Sequence, residues 1–156
     1  MNSLISECHV LQVALAPIGD RYNTNPASDI FNMAQLDRGA FWLEEGAGGT
    51  GTVKIQIEAC SDVSGTGNTA IAFKYRLRTA PGAWGAITAG ASTGYTTVAG
   101  ANKGVIVEFQ AADLPAGKPF IRCQLTEVAN DPCDAALYFI GAGPSYADAG
   151  SLNPTV

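Results

Sequence analysis

The stretch that decides the fold is Gly51-Thr-Val-Lys-Ile-Gln-Ile-Glu-Ala-Cys60. Between residues 53 and 59 it alternates strictly, with Val, Ile, Ile and Ala at odd positions and Lys, Gln and Glu at even ones. Because successive side chains leave a pleated strand on opposite faces, this period of two predicts a strand with one buried face. Such a strand requires a second layer that covers its apolar row.

Similar alternating or apolar runs recur along the chain. Turns rich in glycine, proline, asparagine and serine separate them at intervals of about ten to fifteen residues, which is typical of a two-sheet sandwich or jelly roll. We therefore predict an all-β, antiparallel two-sheet β-sandwich of jelly-roll type, formed by a single domain over residues 1–156. The other predicted strands are residues 9–16, 39–45, 71–78, 84–88, 95–99, 104–110, 120–128 and 135–140.

Two hairpins are predicted from the turn residues. Gly46-Ala-Gly-Gly-Thr-Gly51 lies between two predicted strands, and so glycine-rich a loop is expected to connect them directly. The same stretch matches the G-x-G-x-x-G pattern of dinucleotide sites, but such a site needs a helix immediately afterwards, and a strand follows here. The turn at residues 90–94 is expected to join the two short strands beside it as an edge hairpin.

One short helix and one core tryptophan are also predicted. After the possible capping residue Ser28, the apolar residues Ile30, Met33 and Leu36 are spaced by three. This spacing favours a short helical turn, with an extended segment as the alternative. Trp42 stands between two further apolar residues and is expected in the core.

The two regions with the least periodicity are predicted to be arms. Residues 17–38 are dense in Asn, Asp, Ser and Pro, which form turns by bonding their own backbone, and should form an extended loop or arm. Residues 141–156 are rich in Gly, Ala, Ser and Pro and should form a loose C-terminal arm unless a partner orders them. We expect both regions to contact a partner and to be open to protease in the free protein.

The charge pattern argues against nucleic acid and membrane partners. The formal net charge is −5, and the nine Lys and Arg residues are scattered, so no basic patch is available to bind phosphates. Lys74, Arg76 and Arg78 alternate and should line a solvated strand face. The longest apolar run of the N-terminal region, residues 10–16 with Gln12 interrupting it, is too short to cross a bilayer, and the N-terminus lacks a basic leader, so we expect neither a membrane span nor secretion.

The residues that usually carry chemistry are sparse. The cysteines Cys8, Cys60, Cys123 and Cys133 contain no Cys-x-x-Cys pair, and His9 is the one histidine, so free structural thiols are predicted and no metal site or cofactor. Gly90-Ala-Ser-Thr-Gly94 matches Gly-x-Ser-x-Gly, but it lies in a turn between two short predicted strands and not in the strand-to-helix turn that a nucleophile elbow requires. No spacing brings two carboxylates together for acid and base catalysis. The chain is predicted not to be an enzyme.

Aromatic residues support one alternative function. Trp42, Trp84, Tyr95 and Tyr146 would offer stacking surfaces for sugars if they were exposed, and Trp84 follows a Pro-Gly turn that favours exposure. A carbohydrate-binding jelly-roll module of fibre or lectin type is therefore the alternative reading, in which glycan binding depends on Trp84. An exposed aromatic marks a protein contact at least as often.

Four stretches carry a resemblance to a family. They are residues 21–29 (RYNTNPASD), 41–46 (FWLEEG), 51–62 (GTVKIQIEACSD) and 70–76 (AIAFKYR). Their pattern is similar to that of small β-rich head decoration, or cement, proteins of tailed bacteriophages, over about residues 20–80. The resemblance includes no catalytic motif.

The resemblance implies a structural role on the virion. Members of such families bind the outer surface of the capsid, often as trimers, so the implied partners are the major capsid protein and further copies of this chain. The implied location is the capsid surface, after synthesis in the host cytoplasm; a tail-tube or head-completion subunit is a further alternative. The residues expected to contact a partner are Tyr22, Asn23, Asn25, Pro26, Trp84 and Tyr146.

Overall fold

The structure is a computed structural model that describes residues 9–48 and 50–144. Within these residues the chain consists of strands and turns, with one 3-10 turn at Ala111–Asp113 and no α-helix. The strands are β1 (His9–Ile18), β2 (Phe31–Asn32), β3 (Leu36–Gly48), β4 (Thr52–Cys60), β5 (Thr69–Ile71), β6 (Phe73–Ala80), β7 (Ala83–Trp84), β8 (Thr88–Gly90), β9 (Tyr95–Thr96), β10 (Gly104–Gln110), β11 (Phe120–Ala129) and β12 (Cys133–Pro144).

Two antiparallel sheets pack against each other. The seven-stranded sheet has the order β1-β12-β3-β10-β6-β7, with β8 also paired to β6. The five-stranded sheet has the order β2-β11-β4-β5, with β9 also paired to β4. The predicted fold class, an all-β antiparallel two-sheet sandwich of jelly-roll type, is confirmed.

The predicted apolar row of β4 lies in the centre of the core. Its residues Val53, Ile55, Ile57 and Ala59 are buried, and β4 is an interior strand between β11 and β5. Full burial of a side chain such as valine or isoleucine contributes roughly 1.5–3 kcal/mol. The alternation that the sequence shows is therefore a large part of what holds the two sheets together.

Both predicted hairpins are wrong. β3 belongs to the seven-stranded sheet and β4 to the five-stranded sheet, so residues 46–51 pass from one sheet to the other. Gly51 is required there, because an added Cβ would lie 2.2 Å from the carbonyl oxygen of Asp131. The turn at residues 90–94 likewise changes sheet, since β8 pairs with β6 and β9 with β4. The strand predicted at residues 71–78 is divided at Ala72, where β5 has ended and β6 has not yet begun.

The predicted helical turn at residues 28–36 is also wrong, and the extended alternative is correct. Phe31 and Asn32 form β2, which pairs with β11. Phe31 and Met33 are both buried, as alternate residues of an extended chain are when they face one layer. Leu36 follows a turn in which its N–H donates to the Met33 carbonyl oxygen over 3.1 Å.

The connection that precedes β2 runs along β11. The N–H of Leu125 donates to the Pro26 carbonyl oxygen over 2.9 Å, and the N–H of Glu127 donates to Asn25 Oδ1 over 2.7 Å. Asn25 has a φ of 49°, in the left-handed region that asparagine tolerates better than most residues. Residues 25 and 26 are therefore held against the five-stranded sheet.

Candidate functional site

The six residues predicted to contact a partner lie in different surroundings. Tyr22 is completely buried, so its side chain is not available to a partner in this structure. Asn23 and Asn25 are exposed and Pro26 is half-buried, all three in the connection between β1 and β2. Trp84 is half-buried on β7, at the edge of the seven-stranded sheet. Tyr146 lies outside the described residues, and the other five do not form one surface.

The outer face of the seven-stranded sheet carries rows of side chains that cross the strands. In the first row Leu11, Ile140, Ala40, Glu108 and Lys74 stand opposite one another on β1, β12, β3, β10 and β6. Since neighbouring strands are about 4.8 Å apart, each row is roughly 19 Å long. The second row consists of Val13, Tyr138, Trp42, Ile106 and Arg76.

An exposed apolar surface lies where these rows reach β1. Leu11, Val13 and Ile18 are 59%, 52% and 52% exposed. Leu11 is paired with Ile140 and Val13 with Tyr138, both half-buried on β12. We call these five residues the β1 patch. Ile18 lines a shallow cavity together with Tyr138, so the patch is contiguous, unlike single exposed apolar side chains, which are common on protein surfaces.

β1 is also an open sheet edge. Within the described residues it pairs with β12 on one side and has no strand on the other, where Asp29 N–H donates to the Ala14 carbonyl oxygen over 3.2 Å. The strand contains no Asp, Glu, Lys or Arg. Its pairing is irregular after Val13, so the regular part of the edge is the part that carries Leu11 and Val13.

A groove of about 980 Å³ crosses the same face beside the β1 patch. Its floor includes the small residue Ala40 and the apolar residues Ile106 and Ile140, and Ile87 lies at its far side. Arg38, Lys74, Glu108, Gln110 and Asp113 line it with polar side chains. We call this the cross-strand groove. Its volume is within the usual range for small-molecule sites, about 300–1,000 Å³.

Three charged side chains in the cross-strand groove have no protein partner. Those of Arg38, Lys74 and Glu108 form neither a hydrogen bond nor an ion pair with any residue that the structure describes. Elsewhere on the sandwich, Arg78 is paired with Glu44, and Arg122 with Glu58 at 2.8 Å. The groove therefore offers donors and acceptors that are free to bind another molecule.

Three aromatic rings form a cluster next to the groove. Trp42 faces outward, so its predicted place in the core is wrong; Phe41 and Leu43 on either side point inward. Its ring centroid lies 6.2 Å from that of Trp84 and 5.8 Å from that of Tyr138. All three rings are half-buried, because they cover one another. Trp84 is thus less exposed than its turn suggests.

A buried acid joins the connection after β1 to β3. The Tyr22 hydroxyl donates to Glu45 Oε1 over 2.5 Å. Burial raises the pKa of Glu45, although hydrogen bonds from Tyr22 and Thr97 and the charge of Lys103 oppose the rise. Burial and the neighbouring carboxylate also raise the pKa of Tyr22, which keeps its hydroxyl protonated as the donor. The pair is closed to solvent, so its role is structural.

The thiols show no sign of reactivity. Cys60, Cys123 and Cys133 are free and buried, and burial raises the pKa of Cys133 to about 11. A thiol with a raised pKa stays protonated at neutral pH and is a poor nucleophile. Cys8 lies outside the described residues.

The described chain offers neither a metal site nor a helical membrane span. Among residues 9–48 and 50–144 there is no group of three or more His, Cys, Asp or Glu side chains that is placed to hold a metal ion. In the same residues no helix has the length and apolar character needed to span a membrane.

Neither the β1 patch nor the cross-strand groove is predicted from the sequence. A signal for the patch is present in residues 9–18, which lack charge and are apolar at both Leu11 and Val13. It becomes informative only once β1 is known to be an edge. The groove has no local signal, because Ala40, Glu108 and Lys74 meet through strand pairing alone.

Comparisons with known proteins give low similarity. No protein-family model and no curated protein matches the chain. Among solved structures it is similar to the SPBc2 prophage-derived protein YomS, at 13% identity and a TM-score of 0.48, over 86% of this chain and 93% of that one. It is also similar to the CBM22-1–GH10 modules of Clostridium thermocellum endo-1,4-β-D-xylanase 10B complexed with xylohexaose, at 10% identity and a TM-score of 0.42, over 88% of this chain and 26% of that one.

A third similar structure is the VP2 protein of infectious bursal disease virus, at 11% identity and a TM-score of 0.26, over 92% of this chain and 42% of that one. All three TM-scores are below 0.5 and all three identities are below 25%. Likenesses this distant do not carry a function from one protein to another.

Proposed function

We propose that this protein is a structural virion protein: a capsid decoration, or cement, protein that binds the outer surface of a tailed-phage head and stabilises it. The proposed partner is the major capsid protein, and the proposed assembly is a homo-oligomer, a trimer in keeping with the sequence resemblance. No catalytic activity is proposed. The observation that carries the proposal is the β1 patch on an open sheet edge.

The edge of β1 differs from the other sheet edges in the described chain. Proteins protect sheet edges by keeping them short, charged or covered. The other strands at the margins of the two sheets, β2, β5, β7, β8 and β9, have two or three residues each. β1 has ten residues and lacks Asp, Glu, Lys and Arg. An edge of this kind suits a protein whose working state covers it with a partner.

The energetics favour several copies acting together. Full burial of an exposed apolar side chain contributes roughly 1.5–3 kcal/mol, and Leu11, Val13 and Ile18 are between 52% and 59% exposed, so burial of each contributes about half of that. Association costs about 4–15 kcal/mol in lost translational and rotational freedom, so one patch binds weakly. An oligomer that presents several patches to a repeating shell gains affinity by avidity. Binding to the assembled head then stabilises the head by mass action.

The proposal is tested with heads assembled from the major capsid protein of the same phage but lacking this chain. We expect the purified protein to bind these heads to saturation and to raise the temperature at which they open. The double substitution Leu11→Lys/Val13→Lys should lower the affinity at least a hundred-fold, or about 3 kcal/mol. Its fold should be unchanged, because both side chains are more than half exposed.

The matched control is Val98→Lys/Val128→Lys. Both valines are exposed, both lie outside the β1 patch, and the control adds the same charge. It should bind heads like the unmodified protein. Absence of head binding would refute the proposal, as would equal binding by the two double variants. If the purified chain forms rings or filaments by itself, the tail-tube or head-completion alternative is favoured.

A further inference from the structure

The cross-strand groove has a chemistry that the proposed function does not use. Arg38 and Lys74 bring two positive charges, and Glu108 and Asp113 bring two negative ones. A surface with balanced charges does not select an anion or a cation by long-range attraction. It does offer both donors and acceptors to a neutral ligand that carries both.

The floor of the groove excludes recognition through the backbone. β12, β3 and β10 are interior strands of the seven-stranded sheet, so their N–H and C=O groups are bonded to neighbouring strands. An extended peptide is normally held by main-chain hydrogen bonds at a sheet edge. A ligand lying across these strands is instead held by side chains, and it must satisfy its own polar groups through them.

The apolar part of the floor favours a ligand that has apolar faces as well as polar groups. Ala40 leaves a depression in the row between Ile140 and Glu108, and Ile106 lies beside it in the next row. A molecule that fits has apolar C–H faces directed at this floor and hydroxyl groups around its rim. The groove crosses five strands, roughly 19 Å, which suits a chain of several units better than a single ring.

From this combination we propose that the cross-strand groove binds a neutral oligosaccharide. Its C–H faces rest on Ala40, Ile106 and Ile140, and its hydroxyl groups bond to Arg38, Lys74 and Glu108. These side chains have no protein partner to give up, so binding breaks no hydrogen bond within the described protein. The site does not depend on capsid binding, and either proposal can fail without the other.

The test is calorimetric titration of the full chain with cellohexaose, maltohexaose, mannohexaose and chitohexaose, and with hexagalacturonate as a charged comparison. We expect at least one neutral hexasaccharide to bind, with an affinity that changes little with salt. Arg38→Ala/Glu108→Ala should lower that affinity at least ten-fold, since it removes a free donor and a free acceptor. Ala40→Phe should lower it by filling the floor.

The matched control is Asp29→Ala/Lys54→Ala, which also removes one charge of each sign but lies outside the groove. It should bind the sugar like the unmodified protein, and near-ultraviolet circular dichroism should show all variants folded. The proposal is overturned if no neutral hexasaccharide binds at millimolar concentration, or if hexagalacturonate binds more tightly with a steep salt dependence. Sugar binding that survives both Ala40→Phe and Arg38→Ala/Glu108→Ala overturns it too.

Discussion

Replacing Phe139 with alanine is expected to lower the free energy of unfolding by about 3–5 kcal/mol. Phe139 is completely buried on β12 and stacks on Phe31 of β2, with ring centroids 4.0 Å apart and planes at 8°. Phe41 of β3 lies 5.4 Å from the same ring. The substitution therefore leaves a cavity between the two sheets, where β12 and β2 meet. Urea unfolding followed by fluorescence measures the loss.

The loss of unfolding free energy at Phe139 should be much larger than the loss caused by a substitution on the surface. Val98→Ala, at a residue that is 65% exposed, should change the unfolding free energy by no more than about 0.5 kcal/mol. A double-mutant cycle with Phe31→Leu and Phe139→Leu should show a coupling of about 0.5–1.5 kcal/mol for the stacked rings. A loss below about 1 kcal/mol for Phe139→Ala would contradict the packing of β2 against β12.

The same contact explains why the helix prediction at residues 28–36 failed. A spacing of three between Ile30, Met33 and Leu36 is a local pattern, and two turns of helix are too short for it to be decisive. The extended form is selected by pairing with β11, about ninety residues later in the chain, and by stacking of Phe31 on Phe139. Neither partner is visible from within the segment.

The positions of the strands were predicted better than their pairing, because pairing also depends on residues far away in the chain. Alternation in β4 shows which side chains are buried, and this part of the prediction is confirmed. Alternation does not show which sheet a strand joins, so residues 46–51 were expected to form a hairpin although they cross between the sheets. At Trp42 the neighbours in the chain are apolar too. The outward direction of its side chain shows only in the structure, where its ring contacts Tyr138 on the adjacent strand β12 and Trp84 on β7.

Both proposed surfaces depend on pairing of this kind. The β1 patch needs β1 to be an edge, and the cross-strand groove needs Ala40, Glu108 and Lys74 to stand opposite one another. Ile140 belongs to both surfaces, so substitutions there do not separate capsid binding from sugar binding. Substitutions at Leu11, in the β1 patch, and at Glu108, in the cross-strand groove, separate the two.

The second large effect is expected at the Tyr22–Glu45 pair, where substitutions should change how the free energy of unfolding varies with pH. Because burial raises the pKa of Glu45 above its ordinary value of 4.5, the folded protein holds this proton more tightly than the unfolded chain. Its contribution is therefore fully present below about 4.5 and is lost as pH rises through the folded pKa. Each unit of difference between the two pKa values is worth about 1.4 kcal/mol.

Glu45→Gln removes this titration and keeps an acceptor for the Tyr22 hydroxyl. The unfolding free energy of the variant minus that of the unmodified protein should be more positive at pH 7 than at pH 4, and urea titrations at both values measure it. For Tyr22→Phe the same difference should be more negative at pH 7 than at pH 4, because the substitution removes a hydrogen bond that lowers the pKa of Glu45. At neutral pH the substitution should lower the free energy of unfolding by about 1–3 kcal/mol. Equal pH dependence in all three proteins would show that Glu45 is not buried as an acid beside Tyr22.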